Sequence, residues 1–161
     1  MSGEGQRVFV TGSSSGIGRA IATSFLARGC DVCGLDIQSP PEGVPDTERI
    51  DLGNTDTLTA SVEDILSRRG PPDILICAAG RISNGQAEQF ANVVNVNLTA
   101  NIILGDIMAR SMAGGGRILF ISSISAETGS VQDPSYAASK AGLRGLVRSC
   151  LLYTSPSPRD S

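Results

Sequence analysis

Residues 7–18 read "RVFVTGSSSGIG", and this stretch governs how the rest of the chain is read. The apolar run 7–10 predicts a strand. "TGSSSGIG" (11–18) leads from it into a helical pattern with Ile17, Ile21 and Phe25 on one face, closed by Gly29. A glycine-rich turn between a first strand and a first helix has a specific physical use. Gly12, Gly16 and Gly18 permit a tight turn and let phosphate groups approach the backbone. The helix N-terminus adds free N–H groups and the positive end of the helix dipole. Ser14, Ser15 and Ile17 share the turn and are candidate contacts to such a ligand. Alone, a Gly-Ser-rich stretch is often only a turn; its place between strand and helix makes it a dinucleotide signal.

Working outward, apolar runs alternate with helical patterns. "DVCGLD" (31–36) predicts a second strand and "ERID" (48–51) a short third one, with a proline-rich loop at 39–45 between them. Asn54 or Thr55 starts a helix whose apolar face is Leu58, Val62, Ile65 and Leu66, stopped by "GPP" (70–72). "DILICAAG" (73–80) and "RILFISSIS" (117–125) read as strands buried on both faces. Between them a long helix spans 87–112 and "GGG" (114–116) ends it; Pro134 and Ser135 open a last helix. Continuous apolar strands alternating with helices predict an α/β fold, a doubly wound parallel sheet covered on both faces. In such a sheet, ligands bind beyond the carboxyl ends of the strands.

Composition narrows the function. The chain has 161 residues, enough for one domain, with 40% hydrophobic and 18% charged residues. Its net charge of −3 and lack of a basic run argue against nucleic acid as a partner. No apolar run is long enough to span a membrane, and the N-terminus lacks a signal peptide's apolar centre, so the expected location is cytoplasmic. The absence of histidine excludes Ser-His-Asp and Cys-His catalysis and weakens any metal reading. Cys30 and Cys33 form a C-x-x-C, but inside an apolar run they read as buried small hydrophobes rather than a redox pair.

Two further stretches carry chemistry. Asp36 ends the second strand, 18 residues beyond Gly18. A carboxylate there can bind both ribose hydroxyls of NAD and repel the 2′-phosphate of NADP, which favours NAD; a plain turn aspartate is the alternative. In "SYAASK" (135–140), Lys140 is the chain's single lysine, four residues after Tyr136. The pair could simply share a solvated helix face. Alternatively, an ammonium held beside a phenol favours the phenolate, and such a tyrosine can exchange protons with a substrate hydroxyl.

Thr11 to Gly18 as Thr-Gly-x-x-x-Gly-x-Gly, with Tyr136-x-x-x-Lys140, resembles the short-chain dehydrogenase/reductase family. Ser123 of "ISSIS" and Asn97 of "VNVNLTA" stand where that family has its remaining catalytic residues, Asp51 and Leu52 where it contacts adenine. "CAAG" (77–80) stands where the family often has Asn-Asn-Ala-Gly, which adds Ala78, Ala79 and Gly80 to the expected cofactor contacts. The match covers nearly all of residues 7–149 and implies a Rossmann-like sheet of strand order 3-2-1-4-5, with the family's last strands missing. It further implies an NAD-dependent oxidoreductase interconverting a secondary alcohol and a ketone, homotetrameric or homodimeric at full length. Tyr136 would be the general acid/base. Lys140 would hold the nicotinamide ribose and lower the tyrosine's pKa, and Ser123 would steady the substrate oxygen. Asn97 would open its helix to a proton-relaying water. A protein that binds NAD without catalysis, or an inactive fragment, are the alternatives. Ala78 departs from the family's asparagine, so that residue's bonds to the sheet are lost or rerouted, and the stretch from Gly80 to Asn97 is shorter than usual.

The end of the chain has a different character. In "CLLYTSPSPRDS" (150–161) the apolar periodicity stops and two prolines fall close together. A disordered terminus is one reading. The stretch also resembles, residue for residue, a translation of the transposase adapter used in short-read sequencing. The expectation is therefore a nucleotide-binding domain over 1–149, incomplete by the family's standard, followed by non-native sequence. Such a truncated chain is expected to be inactive or poorly folded, with an open edge at its fifth strand.

Overall fold

The computed structural model describes residues 5–39, 46–112 and 114–154. Most of the proline-rich loop, and residues 155–161 of the tail, lie outside the described residues. Five parallel strands form one sheet in the order β3-β2-β1-β4-β5, as expected. They are β1 (Arg7–Thr11), β2 (Asp31–Asp36), β3 (Thr47–Arg49), β4 (Ile74–Cys77) and β5 (Arg117–Phe120). The helices are α1 (Gly16–Leu26), α2 (Thr55–Arg69), α3 (Phe90–Val94), α4 (Ala100–Ser111), α5 (Ser125–Thr128) and α6 (Pro134–Thr154).

β1 is central, pairing in register with β2 (Phe9 opposite Cys33) and with β4 (Phe9 opposite Leu75). Its alternate side chains therefore feed two cores. Phe9, Cys33, Leu35 and Leu75 face α2 and α4, where Leu58, Val62, Ile65, Leu104 and Met108 are buried. Val8, Val10, Val32, Ile74 and Ile76 face α1 through Ala22, Ile21 and Phe25. Each large side chain buried this way contributes roughly 1.5–3 kcal/mol of hydrophobic stabilisation. Cys33 lies in the first core and Cys30 in the second, and neither forms a disulfide. The reading of small buried residues therefore holds. No helix among the described residues is long and apolar enough to cross a membrane.

The structure corrects several boundaries. The expected long helix 87–112 is a composite. A 3-10 turn (Ala87–Gln89) leads into α3, a π-helical turn (Asn95–Thr99) follows, and α4 completes it. The apolar pattern gives no hint of the break because side-chain spacing barely changes where one residue is inserted into the ladder. β4 and β5 end at Cys77 and Phe120, earlier than the apolar runs suggested, and α5 was not foreseen. The helix carrying Tyr136 continues through Thr154, so helical structure does not stop at Ser149 as the periodicity suggested.

β5 was expected to be buried on both faces. Instead Arg117 and Leu119 are exposed, Leu119 to 45%, while Ile118 and Phe120 are half-buried. Among the described residues β5 pairs only with β4, so it forms a sheet edge.

The opposite edge strand, three residues long, is secured by charge. Glu48 accepts from both terminal nitrogens of Arg68 (2.9 Å each) and from Nε of Arg69 (2.6 Å), which clamps β3 to the C-terminal turn of α2. Asp46 and Asp64 complete the network. The Arg68 hydrogen bonds lead the effects that pull the Glu48 carboxyl down from 4.5 to about 2. A group with a depressed folded-state pKa stabilises above its ordinary pKa and loses that contribution as pH falls toward the folded value. Glu48→Gln should therefore cost about 1 kcal/mol in urea unfolding near neutral pH, a modest figure because Arg68 is half-exposed. The difference from wild type should shrink as pH drops from 4.5 toward 2; a constant difference would mean the charge is irrelevant. At the other edge, Leu119→Lys should raise the concentration at which light scattering first detects aggregates.

Candidate active site

The carboxyl ends of β1, β2 and β4 deliver three loops to one place. Gly12 donates its N–H to the Leu35 carbonyl (2.9 Å) and adopts φ +70°. A Cβ at Gly12 would lie 2.8 Å from the Ala79 Cα, and one at Gly18 would lie 2.2 Å from the Gly12 carbonyl oxygen. Only glycine lets the loops after β1 and β4 and the start of α1 pack this closely. Ser15 caps α1 in an extended conformation with no side-chain cap bond, so its hydroxyl leaves the first amides of the helix open.

Asp36 is nearly buried, and both its oxygens are engaged. Oδ2 accepts from Ser14 N and Oδ1 from Gln38 N, each at 2.9 Å. The carboxylate thus steadies the glycine turn from the neighbouring strand. Each oxygen keeps a further lone pair, and Asp36 borders the cavity described next. The Asn-to-Ala change at Ala78 is accommodated in two ways. Ala78 packs on the β1 core, and Ala79 N donates to Thr11 Oγ1 (3.0 Å), tying β4's loop to β1.

These loops line a cavity of about 800 Å³. Of the residues expected at the site, Gly12, Ser15, Gly16, Ile17, Gly18, Asp36, Asp51, Leu52, Ala78, Ala79, Gly80, Tyr136 and Lys140 border it. Ser14, Asn97 and Ser123 do not. Ser14 sits beneath the turn and Asn97 is wholly buried. Ser123 is half-buried, with its Oγ accepting from Ser125 N (3.2 Å). Its neighbour Ser122 borders the cavity instead and donates to the Lys140 carbonyl (3.2 Å).

Tyr136 and Lys140 sit one turn apart on α6. The Lys140 ammonium lies 5.7 Å from the tyrosine ring centroid and donates to the Ile121 carbonyl (2.7 Å). Lys140 is 4% exposed, and this burial holds its pKa below the ordinary value, with Cys77 acting in the opposite direction. Burial likewise pushes the facing Cys77 thiol up. The pair is therefore not a solvated surface couple.

Asn97 works through its neighbours. Its side chain accepts from Arg81 N (2.7 Å) and donates to Arg81 O (2.9 Å) and to Ser139 Oγ (3.2 Å). It stands in the π-helical turn, and its main-chain carbonyl accepts Nδ2 of buried Asn101 at 2.7 Å.

Several residues at the site were not anticipated. Asn101 and Ser122 are two, and Arg81, which borders the cavity, is another. So is Asp133. Its Oδ1 accepts from Ser135 Oγ (2.8 Å) and Tyr136 N (2.9 Å), and its Oδ2 from Ser83 N (2.6 Å) across 50 residues of sequence. Burial works to raise the Asp133 pKa, but these donors outweigh it and leave the carboxyl below its ordinary value. Asp-Pro-Ser is a helix-start signal, so the cap was visible in sequence. The bond to Ser83 was not.

A family model described as short chain dehydrogenase matches residues 6–156. The 2-dehydro-3-deoxy-D-gluconate 5-dehydrogenase of Escherichia coli strain K12 is 29% identical over 162 residues, covering 90% of this chain. The chain spans 64% of that relative's length. Among solved structures, the ligand-free aldohexose dehydrogenase (AldT) of Thermoplasma acidophilum superposes with a TM-score of 0.82 at 32% identity, covering 95% of this chain and 63% of that one. A 4-hydroxyisoleucine dehydrogenase complexed with NADH also gives 0.82, at 27% identity, covering 92% and 67%. With its glycine turn, sheet order and Tyr-x-x-x-Lys helix, the chain belongs to the short chain dehydrogenase family.

Proposed function

We propose that this chain carries the nucleotide-binding and proton-transfer parts of an NAD-dependent oxidoreductase that interconverts a secondary alcohol and a ketone. One observation carries the reading: Tyr136 and Lys140 border the same cavity as the glycine turn and Asp36. The residues fit a dinucleotide. Open amides at the start of α1 suit its diphosphate, Asp36 its adenosine ribose, and Asp51 and Leu52 its adenine. When bound, NAD would supply the hydride acceptor.

The protein's own residues supply the rest. Tyr136 takes the hydroxyl proton in alcohol oxidation and returns it in ketone reduction. Lys140, held on the Ile121 carbonyl, keeps a cation against the phenol and offers its remaining donors to the nicotinamide ribose. Ser123, whose Oγ accepts from Ser125 N and so keeps its own O–H free to donate, steadies the substrate oxygen as charge develops on it, and Asn97 fixes the loop at Arg81. NAD is favoured over NADP because a buried carboxylate at Asp36 opposes a phosphate on the ribose. A cytoplasmic homodimer or homotetramer at the relatives' full length completes the proposal.

A second reading is a protein that binds NAD without turning over a substrate. That Ser123 accepts from Ser125 N and does not border the cavity favours it.

NADH binding, followed by the fluorescence of the reduced nicotinamide, tests the cofactor assignment. NADH should bind at least tenfold tighter than NADPH, and Asp36→Asn should narrow that ratio. Equal binding of the two would overturn the choice of NAD. Tyr136→Phe should leave the NADH Kd within about twofold while lowering NAD-dependent alcohol oxidation by about 10²–10⁴-fold. Binding of NADH with no oxidation of any secondary alcohol by the wild-type chain would favour the second reading.

A further inference from the structure

We propose that Arg81 reads a carboxylate on the substrate, so that the compounds this site accepts are hydroxy acids and oxo acids. The inference rests on the oxidoreductase reading above and names its substrate class.

Arg81 follows Gly80 directly at the carboxyl end of β4. Its backbone is fixed from one side by Asn97, which both donates to it and accepts from it at 2.9 and 2.7 Å. Two residues on, the Ser83 N–H is fixed by the buried Asp133 carboxylate, which also caps the helix bearing Tyr136. The short loop is therefore pinned at two points, by Asn97 of the π-helical turn and by Asp133 at the start of the helix that carries Tyr136 and Lys140. The backbone from which the Arg81 side chain projects is thus held in place, which limits where its charge can reach.

Arg81 is exposed and borders the cavity, and no ion pair engages it among the described residues. This contrasts with Arg7, Arg68, Arg69, Arg110 and Arg144, each of which has a carboxylate partner. The cavity's other cation, Lys140, is buried and already donates to Ile121. Its carboxylates do not serve Arg81: Asp36 accepts from Ser14 and Gln38, and Asp51 from Gly53 N (2.8 Å). The cavity thus offers one unmatched planar guanidinium, the group whose fork fits a carboxylate through two hydrogen bonds.

Position separates this cation from the diphosphate end of the site. A Cβ on Gly80, the residue before Arg81, would lie 3.7 Å from the Lys140 Nζ. The backbone that leads into Arg81 therefore lies at the Lys140 end of the cavity, whereas the glycine turn and the start of α1 serve phosphate at the other.

The test uses the purified chain saturated with NADH. Pyruvate, acetoacetate, levulinate and 5-oxohexanoate carry the carboxylate progressively farther from the ketone; each is titrated beside its methyl ester by the change in NADH fluorescence. At least one acid should bind about tenfold tighter than its ester. Arg81→Ala should abolish that preference and Arg81→Lys retain part of it, with NADH affinity unchanged in both. Acids and esters that bind alike, or a preference that survives Arg81→Ala, would overturn the proposal. If Arg81→Ala instead weakens NADH itself, the guanidinium serves the cofactor's phosphates and the proposal is wrong. Failure of the wild-type chain to bind NADH removes the oxidoreductase reading and this one with it. Normal NADH binding without acid preference removes this one alone.

Discussion

Everything at the site depends on the contact between Gly12 and Ala79. The loops after β1 and β4 meet there at a distance that leaves no room for a Cβ on residue 12, and Thr11 Oγ1 holds Ala79 N across the junction. Because β1 lies between β2 and β4 in a parallel sheet, all three strands release their chains at the same edge. The close approach then fuses what would be three separate loops into one wall. On one side of that wall lies the glycine turn, steadied by Asp36; on the other lies the segment running through Gly80 and Arg81. A larger residue at position 12 would separate the two halves, and no charge or hydrogen bond farther out could restore the geometry.

The second half of the wall is held by buried polar side chains rather than by packing. Asn97, in the π-helical turn, and Asp133, just before α6, each satisfy main-chain groups of the short loop 81–83 from farther along the chain. Such bonds are modest when made, about 1 kcal/mol net, but a buried group left unpaired costs more, about 1–3 kcal/mol. The asymmetry makes the loop's position close to all-or-none. The π-helical turn over Asn95–Thr99 carries Asn97, and Asn101 Nδ2 donates to the Asn97 carbonyl from the helix that follows.

Reading the sequence first succeeded where local chemistry and periodicity agree. Alternating apolar runs and helical faces located all five strands, and the glycine spacing identified the turn. Most expected contacts border the cavity because they follow strands, and the topology of a parallel sheet places all such segments at one edge. Periodicity failed where irregularity is silent. The π-helical turn leaves the apolar pattern nearly unchanged, and β5 looked like a core strand because it is mostly apolar, although among the described residues it stands at a sheet edge. The serine pair shows a finer limit: two adjacent serines read alike in sequence, and only the structure separates Ser122, which borders the cavity, from Ser123, whose Oγ accepts from Ser125 N.

By itself, then, the sequence determined the fold class, the family and the chemistry on offer: a glycine-rich turn between strand and helix, a carboxylate at a strand end, and a tyrosine one helical turn from the only lysine. These follow from short-range rules, since turn conformation, helix phase and side-chain identity are local properties. Tertiary structure alone decided which groups were already committed and which remained available. Lys140 is buried on a carbonyl 19 residues away, Asp36 is shared with the turn it faces, and Asp133 spans 50 residues to reach Ser83. Arg81, one arginine among twelve, acquires significance only because its surroundings hold its backbone and leave its charge unmatched. Satisfaction of a polar group depends on what long-range packing brings within 3 Å, and no local pattern encodes that distance.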